Sequence, residues 1–236
     1  DYTERNPNSD WYGYLGRNTP VEQSLRVARD TFTRTVSSGW GSTELDSATE
    51  PAWTSYVWSA FSGIGSDYNV AAGVATHTIG VAGASRLSYL ADVDMREADI
   101  TVTVTVPVAN VTTAGLAAGN IVFRGQDTST FYIARMVIQT DETVTLDITN
   151  GAAVSLTLEG PETVPGVAHA AATPLHVRAQ VEGRTVRAKV WQGVDRDATE
   201  PYAWLKTFTD EGLAGGTSAL LDVAGFVGVL SSALAG

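Results

Sequence analysis

Three carboxylates stand close together in Glu44-Leu-Asp46-Ser-Ala-Thr-Glu50. Two such groups about 5 Å apart can cleave a glycosidic bond with retention, one as nucleophile and the other as acid/base. All three positions are even-numbered, so a continuous strand would carry them on one face. The intervening Ser47, Ala48 and Thr49 and the following Pro51 read instead as a solvated loop, and acidic clusters are common in a chain with this charge. The expectation is therefore a protein that is not an enzyme. A glycan-cleaving hydrolase using Glu44, Asp46 and Glu50 is the alternative.

Aromatic residues offer a different chemistry. Four of the six tryptophans stand at positions 11, 40, 53 and 58. An exposed indole can stack on the apolar face of a sugar while its N–H meets a hydroxyl. Trp53 and Trp58 are the candidate ligand contacts, whereas Trp40, between Gly39 and Gly41, reads as a cap on the core. Trp191 and Trp204 flank the polar loop 193–201 and are expected to pack its ends. Arg124 follows Ile121-Val-Phe123, and Arg135 follows Phe131-Tyr-Ile-Ala134. A buried guanidinium needs partners, so each is either half of a structural ion pair or a clamp on a ligand. Arg124 and Tyr132 join Trp53 and Trp58 as candidate ligand-binding residues, placed on a concave sheet face.

Metal chemistry has weaker support. Asp92-Val-Asp94 with Arg96, and Asp67 with Asn69, offer oxygen ligands, but calcium takes six to eight and neither group supplies that number. No cofactor is assigned, with calcium the one left open. His77, His169 and His176 lack any ligand spacing and are expected to be inert. The stretch Gly212 to Gly216 lacks the lysine of a phosphate loop. With no cysteine, disulfides, zinc knuckles and thiol nucleophiles are excluded.

The 15 Lys and Arg against 26 Asp and Glu leave a net charge of -11, without a basic stripe for nucleic acid. Anionic polymers are disfavoured for the same reason unless a divalent ion bridges them, which makes a neutral glycan the better partner for a saccharide-binding face. No apolar run approaches the length of a membrane helix, so membrane insertion is not expected. The chain opens on Asp1, with no basic-then-apolar leader, and reads as a fragment.

The elements that must position these groups are strands. Ile100 to Val108 alternates apolar residues with Thr101, Thr103 and Thr105, and Pro107 belongs near a strand end or on an edge. Thr143 to Ile148 and Val154 to Leu158 flank Asn150-Gly151, a strong hairpin signal. His176 to Val181 and Thr185 to Val190 flank Glu182-Gly183. Asn120 to Phe123 and Thr130 to Ile138 add another pair, joined by a loop over 125–129. Only Glu22 to Ala28 could be a short helix, and it could equally be a strand. About nine or ten short strands predict an all-β fold, a two-sheet antiparallel sandwich of the jelly-roll kind. The first 28 residues, aromatic and turn-rich, read as a lead-in from an upstream domain, and 29–236 as the sandwich.

Two segments carry a resemblance. The opening Asp1 to Val21, with Arg5-Asn-Pro7, Tyr12-Gly13 and Gly16-Arg-Asn-Thr-Pro20, resembles a stretch in tail proteins of actinobacterial phages and tail-like particles. Asp30-Thr-Phe-Thr-Arg34, Gly39-Trp-Gly41, Trp53 and Ser66-Asp-Tyr68 are similar to the start of concanavalin A-like (laminin-G-like) jelly-roll modules in the same proteins. Phe123-Arg124, Phe131 to Arg135 and Val186 to Trp191 fit later parts. The carboxylate run is similar to the Glu-x-Asp-x(-x)-Glu strand of laminarinase-type endoglucanases, but its third carboxylate comes too late. The resemblance implies a minor tail or tail-tip protein of the virion that attaches without catalysis to host cell-surface polysaccharide. It implies a homo-oligomer, a trimer by preference, in contact with other tail proteins; a structural tail building block is the other non-enzymatic reading. Such modules usually close with one more strand, paired to the first; this chain stops at Gly236 after Val227-Gly-Val-Leu230, so that strand is expected beyond the fragment, disordered or replaced.

Overall fold

The computed structural model describes residues 28–44, 55–107, 115–150, 156–194, 199–209 and 223–234. Asp46, Glu50 and Trp53, the glycine run at 212–216 and the lead-in up to residue 27 lie outside them. Thirteen strands and one 3-10 turn, Gly65–Asp67, make up the regular structure of the described residues.

The alternating segments form strands because period 2 places every apolar residue on one side of a pleated ribbon. The clearest are β5 (Ala98–Val104), β8 (Thr143–Asn150), β10 (Leu175–Glu182) and β11 (Thr185–Gln192). In β5, Ile100, Val102 and Val104 pack inward while Thr101 and Thr103 face away, as the alternation predicts. The hairpin of β10 and β11 keeps its pairing to Glu182 opposite Thr185, with Gly183 turning at a φ of 54°. β7 (Thr130–Ile138) has the bounds expected of it, whereas β6 (Leu116–Asp127) runs further than Asn120 to Phe123, so that residues 125–127 belong to the strand. β9 (Leu156–Ala168) contains Pro161 and Pro165, and it is an edge strand, where a missing N–H leaves no ladder bond unmade.

Two antiparallel sheets form the jelly-roll sandwich. One has seven strands in the order β1-β4-β13-β6-β7-β8-β9, where β1 is Trp58–Phe61, β4 is Ser85–Met95 and β13 is Gly225–Ala233. The other has four, β12-β11-β10-β5, with β12 at Lys206–Thr209. A separate hairpin pairs β2 (Tyr68–Ala71) with β3 (Val74–His77). Crossovers between sheets at β4 to β5, β5 to β6, β9 to β10 and β12 to β13 give the jelly-roll winding. The last described strand, β13, lies between β4 and β6 in the middle of the larger sheet.

Between the sheets lies the main core, with Ile121, Phe123, Tyr132, Met136, Leu146 and Ile148 facing Val177, Val181, Val186 and Val190. Each such side chain contributes about 1.5–3 kcal/mol on burial. A second cluster, Leu87, Val122, Phe131, Ile133, Phe226 and Leu230, occupies the alternate positions of the same strands, on the face turned away from the smaller sheet. A third joins Trp40, Tyr68 and Val70, with Phe32 and Trp58 packed against it.

Candidate functional site

Two of the four candidate ligand residues turn out to be interior. Tyr132 is 3% exposed and belongs to the core between the sheets, stacked with Phe123 at 5.8 Å. Its out-of-phase neighbours Phe131 and Ile133 take the opposite face. Arg124 is 2% exposed; its Nε donates to the carbonyl of Arg96 at 2.7 Å and its Nη2 to that of Gly183. It thereby ties β6 to the β4–β5 turn and to the β10–β11 turn. The placement of both on an open face is corrected: a guanidinium shut away from water must direct its donors at protein acceptors, and these are backbone carbonyls. Arg135 holds Asp147 through Nε at 3.0 Å and Nη2 at 2.6 Å, the first of the two alternatives left open for it.

Trp58 lies on β1, the edge strand of the larger sheet, and is half-buried. Its indole N–H donates to Asp30 Oδ2 at 2.7 Å. Asp30 also accepts both Nη atoms of Arg34, each at 2.7 Å, and the backbone N–H of Phe32 at 3.0 Å. Arg34 in turn donates Nε to the carbonyl of Trp40 at 2.7 Å. The ring of Trp58 meets Trp40 edge-on at 5.2 Å and lies 6.4 Å from Phe32, so it is fixed by packing as well as by its N–H. Trp40 is 5% exposed and acts as the expected cap, its N–H given to the carbonyl of Thr76.

Glu44 closes the same segment. Its Oε1 accepts the N–H of Thr33 at 2.8 Å and the Thr33 hydroxyl at 2.6 Å, while Oε2 accepts the N–H and hydroxyl of Thr31. Burial works to raise its pKa, but these hydrogen bonds outweigh that and hold the carboxyl down to about 2. Glu44 is a clamp across the Arg29–Glu44 bridge, ionised and saturated with donors.

The remaining polar candidates are also engaged. Asp67 pairs with Arg86 at 2.9 Å and accepts the N–H of Ile64, while Asn69 donates to the carbonyl of Ser66. Asp92 and Asp94 are exposed. Among the described residues no three His, Asp or Glu side chains converge as metal ligands. His77 contacts Ser88 and Ser231, His169 contacts Glu142, and His176 contacts Thr103 and Gly193.

The outward face of the four-stranded sheet carries an ionic lattice that the sequence reading missed. Arg178 and Lys189 sit opposite each other on β10 and β11. Arg178 grips Asp99 at 2.8 and 2.6 Å and Glu200 at 2.5 Å; Lys189 reaches Glu200 at 2.6 Å and the carbonyl of Pro201 at 2.7 Å. Hydrogen bonding to Asp99, opposed by burial and assisted by Glu200, raises the Arg178 pKa further above its ordinary value. Burial works to raise that of Glu200, but Lys189 and Arg178 prevail and lower it. Trp204 lies over this lattice, with Lys189, Arg187 and Arg178 at 4.7, 5.5 and 5.6 Å from the ring centroid. The alternation Arg178, Gln180 and Arg187, Lys189 was the available signal, but nothing local showed that residues 199–205 fold over it.

No protein-family model matches the chain, and no curated protein matches it. Among solved structures, the chain is similar to a xylan β-1,4-xylosidase from Bacillus halodurans C-125, at 13% identity and a TM-score of 0.39. The likeness covers 87% of this chain and 35% of that one, so the chain spans about a third of that protein's length.

Proposed function

We propose that this chain is a non-enzymatic attachment module, a tail-tip component of a phage or phage-like particle that grips a neutral polysaccharide on the surface of an actinobacterial host. The observation that carries the reading is Trp58. Its indole is half-exposed on an edge strand and held by Asp30, Trp40 and Phe32, so stacking on a sugar would order little that is not already ordered. The resemblance of the opening segment supplies the particle and the host. Glu44, committed to four donors from Thr31 and Thr33, supports attachment over hydrolysis. Weak single contacts become effective through several copies on one particle.

The test is co-sedimentation of a trimerised form of the protein with purified actinobacterial cell walls, with and without a chelator. Retention in the pellet, lost in Trp58→Ala and without release of reducing ends, is the expected result. Protein left in the supernatant under every condition would overturn the reading. The structural building block is then the stronger account, and one observation favours it: Val57, Phe61 and Ile64, at and beside the β1 edge, are 54%, 45% and 68% exposed.

A further inference from the structure

We infer that the outward face of the four-stranded sheet is a second saccharide platform, centred on Trp204 and distinct from Trp58, that takes a neutral, extended β-1,4-linked pyranose chain. It shares with the proposed function only the class of ligand.

The geometry begins with the side of the indole that faces the sheet. Lys189, Arg187 and Arg178 all rise from β10 and β11, and all lie within 5.6 Å of the Trp204 centroid. Cations attracted to the ring quadrupole fix the indole over β10 and β11. Arg187 Nε is closed to water and has no hydrogen-bond acceptor among the described residues, as expected for an atom packed against a ring. Trp204 nevertheless is only half-buried, so part of its surface stays in solvent. A flat aromatic surface, fixed before any ligand arrives, suits the axial C–H face of a pyranose.

Hydroxyl partners lie on the same sheet face. Gln180 is opposite Arg187 and Asp99, two residues along from Arg178, and its side-chain amide makes no hydrogen bond with the described residues. An amide offers both donors and an acceptor, which matches a sugar hydroxyl. Tyr202, two residues before Trp204, is fully exposed and adds a second aromatic surface.

Charge selects a neutral ligand. Arg178, Arg187 and Lys189 are balanced by Asp99, Glu182 and Glu200, three cations against three carboxylates. An anionic polymer would gain no net attraction here and would meet the overall charge of -11. An all-equatorial β-1,4-linked chain presents an apolar C–H face on every ring, the surface that an indole and a neighbouring phenol take.

The experiment titrates the full chain with chitohexaose and with cellohexaose, following the six indole N–H signals and the side-chain amides by NMR. Trp204 is assigned by the loss of its signal in Trp204→Phe. The expected result is a saturable shift of the Trp204 indole and the Gln180 amide with at least one hexamer. Binding should weaken about tenfold in Trp204→Ala and also in Gln180→Ala, a surface change that leaves the ring and its cations in place. Trp58→Ala should leave these shifts intact. Shifts at Trp58 alone would overturn this inference while sustaining the attachment reading. Shifts at Trp204 alone would sustain the inference and count against Trp58. If neither hexamer moves the Trp204 signal, the platform is not a β-1,4-glycan site and the inference fails.

Discussion

Trp40 and His77 stack with their ring centroids 4.5 Å apart and their planes 17° from parallel. This contact joins the N-terminal segment to β3, and His77 joins both to the larger sheet through Ser88 on β4 and Ser231 on β13. Tyr68 closes the pocket edge-on at 5.3 Å. A neutral imidazole suits this place, since one ring nitrogen donates and the other accepts.

That contact makes stability depend on pH. Burial, assisted by the nearby Arg86 charge, lowers the His77 pKa to about 3 from an ordinary 6.5. Between these values the unfolded chain binds a proton that the folded chain refuses. Stability is therefore full above pH 6.5 and falls with acidification toward pH 3, by up to about 1.4 kcal/mol per pH unit from this group. Urea unfolding from pH 7.5 to 4 should show this slope. His77→Asn should be less stable at pH 7 and flatter across the window; an unchanged slope would remove His77 as the cause.

Glu44 adds a second acid-sensitive contribution at lower pH. Its folded pKa of about 2 lies below the ordinary 4.5, so its stabilisation is present above pH 4.5 and is lost as pH falls toward 2. Glu44→Gln leaves one amide oxygen to serve donors that had two, and should cost about 1 kcal/mol at pH 7. The variant should retain whatever cell-wall binding the parent shows. Loss of a hydrolytic activity in this variant would instead revive the hydrolase.

Arg124 is predicted to matter for folding rather than for binding. Arg124→Met leaves the carbonyls of Arg96 and Gly183 without their donor and should destabilise by about 3 kcal/mol or more. Denaturant midpoints measure this. If the variant were as stable as the parent and failed only in binding, the assignment of Arg124 to the interior framework would be wrong.

Gly119 tests the approach of the two sheets. It sits at a φ of 61°, and a Cβ there would lie 1.9 Å from Val104 Cγ2. Gly119→Ala should cost about 2–3 kcal/mol from strain and overlap together. Val104→Ala in the same chain should recover part of it, because the overlap is removed while the backbone strain remains. Additive losses would show that Val104 is not what opposes the methyl group.

Trp204→Ala should lose three ring contacts to cations but none of the Arg178, Asp99, Glu200 and Lys189 ion pairs. A destabilisation of about 1–2 kcal/mol is expected. Thermal unfolding alongside the titration separates this structural loss from loss of ligand contact.

The alternation of Ile100 to Val104, of Thr143 to Ile148 and of the β10–β11 hairpin was legible in the sequence, because period 2 and turn residues are local properties of the chain. So were the placing of Pro107 near the end of an edge strand, the capping role of Trp40 and the need of Arg135 for a partner. Parity also separated Phe131 and Ile133 from Tyr132, but not which set faces the smaller sheet. That choice depends on what lies across the sandwich, and it placed Tyr132 inside. Arg124 followed, because its acceptors come from Arg96 and Gly183, 28 and 59 residues away. The insertion of β13 between β4 and β6, the grip of Asp30 on Trp58 and the folding of Trp204 over β10 and β11 are likewise products of distant pairing. Sequence alone determined which residues share a face. Only the tertiary structure decided which face is covered, because burial is set by partners remote in the chain.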